Sequence, residues 1–155
     1  MISQTLVIIF VLIGVLALGF LMEGRRRKAL EAWVLQRPGT RLFWPVALQE
    51  HSGVPMAEMA EAMLGRAPMG WASAVQVVEA EGEIWLAEFR TTLSGNESSS
   101  WLTLIARRCF DEDAATAMQA EMQRGQPDDP VHRLGRWVYH RRKGLITVAM
   151  LDSRV

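Results

Sequence analysis

From Ile2 to Met22 the chain reads ISQTLVIIFVLIGVLALGFLM, 21 residues without a charge. At a rise of about 1.5 Å per residue, a helix of that length spans roughly 31 Å, close to a hydrocarbon core of about 30 Å. The run is apolar on every side, which a core helix of a water-soluble domain rarely is over such a length. The pattern therefore predicts a single transmembrane helix. A cleaved signal peptide calls for a basic start, a shorter apolar run and a small-x-small cleavage site. Met1 to Gln4 carries no Lys or Arg, and Leu21-Met22-Glu23-Gly24 is a poor cleavage site. No cysteine follows the run to carry a lipid, so residues 1–24 are expected to remain as an anchor.

Polarity changes abruptly after the span. Arg25, Arg26, Arg27 and Lys28 follow it, and no Lys or Arg precedes it. Basic residues near the end of a span mark its cytoplasmic side, which predicts the N-terminus outside and the remaining chain inside. The same four residues would attract anionic lipid, each contributing about 1 kcal/mol near a charged surface. Leu30, Trp33 and Val34 keep a helical period past the membrane, and Arg27 and Glu31 stand at i, i+4. Trp33 lies about 16 Å beyond Met22 along a straight helix, too far for an interfacial belt. It is expected to pack on the folded domain and to join anchor and domain semi-rigidly. Residues 25–37 thus read as a juxtamembrane helical extension, ended by Pro38-Gly39.

Residues 38–155 alternate between two periods. In VPMAEMAEAMLGRAP, Met56, Met59, Ala60, Met63 and Leu64 recur at helical spacing, with Pro55 at the start and Gly65 at the end. A methionine stripe of this kind packs a core, or else forms an adaptable groove; the spacing favours the core. From Trp71 the period becomes two. WASAVQVVE, EIWLAEFRTTL and SWLTLIAR are β-rich runs separated by Gly82 and by the SGNESS loop. In the middle run Trp85, Ala87, Phe89 and Leu93 face one way and Glu88, Arg90 and Thr92 the other, a strand with one buried face. Asn96-Glu97-Ser98, formally a glycosylation acceptor, means only a turn on a cytoplasmic loop. DEDAATAMQAEMQRG predicts a helix capped by Asp111 and closed by Gly125. GRWVYHRRKGLITVAML predicts a last hairpin turning near Lys143-Gly144. The expected class is α+β: one N-terminal transmembrane helix, then a small domain with an antiparallel sheet of about five strands and two short helices.

Charge and composition narrow the function. All 17 basic and 17 acidic residues lie after the span, so the domain is formally neutral, which argues against a general nucleic-acid binder. Cys109 is the only cysteine and rules out both an intrachain disulfide and a cysteine-built zinc site. Fifteen arginines against two lysines are read as genome composition, and with the simple anchor they suggest a bacterial source. Of six tryptophans, Trp71, Trp85, Trp101 and Trp137 are expected in the core. Phe43 and Trp44, in RLFWPV, belong to a buried first strand or a core lid; the alternative is an aromatic docking segment.

Candidate chemistry is sparse. His51, His132 and His140 lack metal-ligand spacing, and no nucleophile elbow or phosphate-binding glycine loop is present. Arg107 and Arg108 beside Cys109 would activate the thiol if they approached it, but a strand-end cysteine before Phe110 reads as inert. Asp128 and Asp129 sit in a proline-flanked loop and are expected to stay solvated. Acidic residues gather on the first hairpin (Glu79, Glu81, Glu83, Glu88, Glu97), and basic ones on the last (Arg133, Arg136, Arg141, Arg142, Lys143). Arg141, Arg142 and Lys143 are candidate contacts for anionic lipid or an acidic partner. The expectation is a non-enzymatic accessory or scaffold protein of a bacterial cytoplasmic membrane, without cofactor or metal. It would bind the lipid bilayer and a membrane-protein partner, and no nucleic acid. The alternative is a tethered sensory domain, with the sheet and the methionine helix enclosing a small ligand.

Overall fold

A computed structural model describes residues 3–44, 54–80, 82–92 and 99–153. The elements run α1 (Gln4–Leu35), β1 (Thr40–Phe43), α2 (Met56–Leu64), β2 (Gly70–Glu79) and β3 (Gly82–Thr92). β4 (Ser99–Arg108), α3 (Glu112–Gly125), β5 (His132–Leu134), β6 (Trp137–Lys143) and α4 (Val148–Asp152) follow. The chain divides into two compact units, Met1–Gln36 with Thr147–Val155, and Arg37–Ile146.

In the first unit α1 is one unbroken helix of 32 residues, so the expected extension beyond the apolar run is present. Its apolar stretch is long enough to cross a membrane, and no part of that stretch is buried. Glu23 accepts from Arg26 at 2.8 and 2.9 Å and from Arg27 at 3.0 Å, one turn back along the helix. Further on, Leu30 and Trp33 are buried, and the Trp33 indole Nε1 donates to the Asp152 carboxylate of α4 at 2.8 Å. The helix stops before Pro38, whose ring disfavours helical geometry at the residue before it.

In the second unit six strands form one antiparallel sheet in the order β1-β2-β3-β4-β6-β5. The α+β class stands, with six strands where about five were expected. β2, β3 and β4 make the expected meander, with a bulge in β2 between Trp71 and Ala74. The front face carries Trp85, Ala87 and Phe89 of β3 beside Leu102, Leu104 and Ala106 of β4, and α2 adds Met56 and Met59 to the same core. Both methionines are buried, so the stripe packs core as its spacing implied. α2 ends at Gly65, whose φ of 71° is a left-handed cap that other residues adopt at a cost.

Three expectations change. Strand β3 does not have a single buried face. Ile84, Leu86 and Glu88, on the back, are as buried as Trp85 and Phe89 on the front; reading Glu88 as outward treated its charge as solvated, whereas hydrogen bonds satisfy it inside. Trp101 is 38 % exposed, because it lies at the start of β4 and on the opposite face from Leu102 and Leu104. The last hairpin turns at Gly135-Arg136, between β5 and β6, and not at Lys143-Gly144. After Gly144 the chain forms α4. The Thr147 hydroxyl accepts from Met150 N and caps it, overriding the β-prone Ile-Thr-Val run.

Helix α3 packs on the back of the sheet through Ala115, Met118 and Met122, against Cys109, Val131 and Val138. The Asp111 carboxylate accepts from Ala114 N at 2.7 Å, the expected cap. Gln123 pins the following loop, its Oε1 accepting from Val131 N at 2.8 Å while its Nε2 donates to the Gln126 and Asp129 carbonyls. Asp128 and Asp129 remain exposed. Leu93, Glu81, Glu97, Asn96, Ser98, Pro45 and His51 lie outside the described residues.

Candidate functional site

A cavity of about 380 Å³ opens where the first-hairpin end of the sheet meets α3. Antiparallel register builds its floor. Glu79 faces Gly82, and Ile84 faces Arg107, so Glu79 on β2 and Arg107 on β4 project from the same back face, diagonally across β3. Gly82 has a φ of 149°, and a Cβ there would meet the Arg108 carbonyl oxygen. The Arg108 backbone thus takes the place of a side chain at Gly82, and only glycine fits there. Ala114 and Met118 of α3 form the facing wall, and Phe110, 84 % exposed, follows Cys109 at the rim.

The Cys109 thiol lies 3.6 Å from the Met118 sulfur and is 6 % exposed. Burial pushes its pKa up; the charge of Arg107 acts against this, and Asp111 reinforces it. Burial thus favours the neutral thiol, which forms part of the cavity's apolar wall; that it is buried agrees with the expectation from sequence. Arg107 reaches Glu79 at 3.9 Å and Arg108 reaches Glu83 at 3.4 Å, both partly exposed pairs. Glu79 and Glu83 of the first hairpin are therefore paired with β4.

A second polar cluster is enclosed on the back face. Glu88 is fully buried, and its carboxylate accepts from the Ser73 hydroxyl at 2.6 Å and from Ile146 N at 2.7 Å. Thr103, directly opposite Glu88, donates to the Gly144 carbonyl at 2.8 Å. These bonds tie the segment after β6 across the sheet. Glu88, Ser73 and Thr103 were invisible as a set in sequence; their shared signal is a polar residue in each of three β-rich runs, which register alone aligns.

The basic residues singled out in the last hairpin do not form one patch. Arg133 and Arg136 lie at its turn, where Arg133 approaches Glu112 at 3.9 Å and Arg136 donates to the Phe110 carbonyl at 3.2 Å. Arg141, Arg142 and Lys143 lie at the far end of β6, and alternation sends Arg142 to the back face and the other two to the front. Phe43 is half-buried and stacks on Trp85, with centroids 5.4 Å apart, so it serves the core; Trp44 is half-buried beside it. Arg25, Arg27 and Lys28 are exposed on α1, and Arg26 is partly buried.

His132 stacks on Tyr139 at 5.4 Å; burial, then the charge of Arg141, lowers its pKa. Burial, then Glu58, raises that of Tyr139. His140 is enclosed on the back face. Among the described residues no three His, Cys, Asp or Glu side chains come together in a metal-binding group. No family model matches the chain, and no curated protein or solved structure matches it significantly.

Proposed function

We propose that the chain is a membrane-anchored, non-enzymatic accessory or scaffold protein of a bacterial cytoplasmic membrane. In this reading it crosses the membrane once, with the N-terminus outside and residues 38–155 in the cytoplasm. The observation that carries it is α1: its long apolar stretch leaves every side uncovered, as a lipid-facing helix requires, and its basic residues follow at one end only. The bacterial membrane is inferred from the simple anchor and from arginine-heavy usage. Anionic lipid is a fitting neighbour for Arg25, Arg27 and Lys28.

The test is purification of the tagged chain in mild detergent at native expression, with mass spectrometry of whatever accompanies it. A stoichiometric membrane protein is expected. Recovery of the chain alone would overturn the accessory reading in favour of the second one, a tethered ligand-binding domain. Support for that second reading comes from the cavity beside Cys109, within the usual range of ligand pockets of about 300–1,000 Å³, although it lies against α3 and not, as expected, under the methionine helix α2.

A further inference from the structure

The cavity beside Cys109 has a chemistry that narrows its occupant. We propose that it binds a small carboxylate with an apolar body, the carboxylate held by Arg107 and the body lying over Cys109, Ala114 and Met118. The proposal deepens the ligand-binding reading, and it does not depend on the membrane reading because every group lies in residues 79–118.

Charge comes first. Among the described residues the charged side chains lining the cavity are Arg107, Arg108 and Glu79, and Arg108 is matched by Glu83 outside it. Arg107 is the group to meet the carboxylate. Its pair with Glu79 is 3.9 Å long and both side chains are about one-third exposed, 36 % and 33 %; a pair of that kind contributes little to stability. The guanidinium fork matches a carboxylate with two parallel hydrogen bonds. Arg108 is the poorer candidate, since it engages Glu83 and also lies over the Trp137 ring at 5.9 Å.

Shape and polarity supply the rest. Beside Gly82 the cavity is bounded by backbone, because a Cβ there would meet the Arg108 carbonyl oxygen. Opposite it, Met118, Ala114 and the Cys109 thiol offer a neutral, apolar and polarisable surface. The N-terminus of α3 does not compete for the anion: Asp111 already caps it, and Glu112 and Asp113 fill its first turn.

Cys109 lines the cavity and is the only cysteine, so its alkylation reports occupancy without ambiguity. The full chain in lipid nanodiscs is treated with iodoacetamide in the presence of hexanoate or phenylacetate, and separately of hexanamide or phenylacetamide. At ten times the half-saturating concentration, one acid at least is expected to slow labelling about ten-fold by mass action, while its amide protects far less. In Arg107→Gln the ratio of rates with and without acid should fall to about one. The ratio is the readout because loss of Arg107 also changes the thiol's own reactivity. No protection by either acid at about 10 mM, ten times a millimolar Kd, would overturn the proposal. So would equal protection by acid and amide, or unchanged protection in Arg107→Gln. The acid-amide comparison is made on the wild-type chain, so it stands even if the variant fails to fold.

Discussion

At the scale of single residues, the most consequential group is Glu88, a carboxylate removed from water in the middle of a sheet. An isolated buried charge costs too much to persist, and its two charge-assisted donors, the Ser73 hydroxyl and the Ile146 amide, are what make it tolerable. Glu88→Ala leaves both donors facing an apolar void, and hydrogen bonds to charged groups are worth about 1.5–3 kcal/mol each. A loss of about 3–6 kcal/mol is expected. Glu88→Gln retains an acceptor for Ile146 N and offers an amide to the Ser73 oxygen, so its loss should be smaller. Denaturant or thermal melts of the full chain in detergent check the order; equal stability of Glu88→Ala and wild type would refute the role. The sequence put Glu88 on the polar face because charge is ordinarily solvated. Its partners lie 15 and 58 residues away, and no local pattern joins them.

At the scale of elements, local signals were legible wherever an element carries its own caps and period. α2 and α3 lie where the apolar spacing placed them, because i, i+3, i+4 repetition and flanking Pro, Asp or Gly act within one or two turns. Asp111→Ala removes the side chain that accepts from Ala114 N and should cost about 1 kcal/mol. Because α3 holds the wall of the cavity, the same variant should label faster at Cys109; unchanged stability together with unchanged labelling would refute the capping role. The last hairpin was misplaced for the opposite reason. Gly135 and Gly144 are both turn residues with positive φ, at 56° and 96°, and the Ile-Thr-Val run after Gly144 has β-branched side chains that suit a strand. The Thr147 cap and the burial of Met150 and Leu151 decide for a helix.

At the scale of the whole molecule, the proposed anchor α1 gives the sharpest test. The proposed orientation rests on Arg25, Arg26, Arg27 and Lys28 all following the apolar run, which gives a direct prediction. Replacing the four by neutral residues and placing four lysines before Thr5 should reverse the topology. Protease protection of a C-terminal tag in intact cells and in inverted vesicles checks it. A tag that keeps its original side would show that something other than flanking charge sets orientation.

What the sequence alone determined are properties that add up locally: an uncharged run long enough to cross a bilayer, helical and strand periods, helix caps, and a neutral domain with one cysteine. Each depends on composition or on contacts within a few residues, so order along the chain suffices. Tertiary structure alone decided which polar residues are buried and which meet. Strand register set Glu88 opposite Thr103 and put Glu79 and Arg107 on one face, diagonally across β3. Packing of α3 then enclosed Cys109 and made a cavity beside that pair. Those outcomes depend on pairing between distant segments, where a shift of one residue exchanges the faces of a strand.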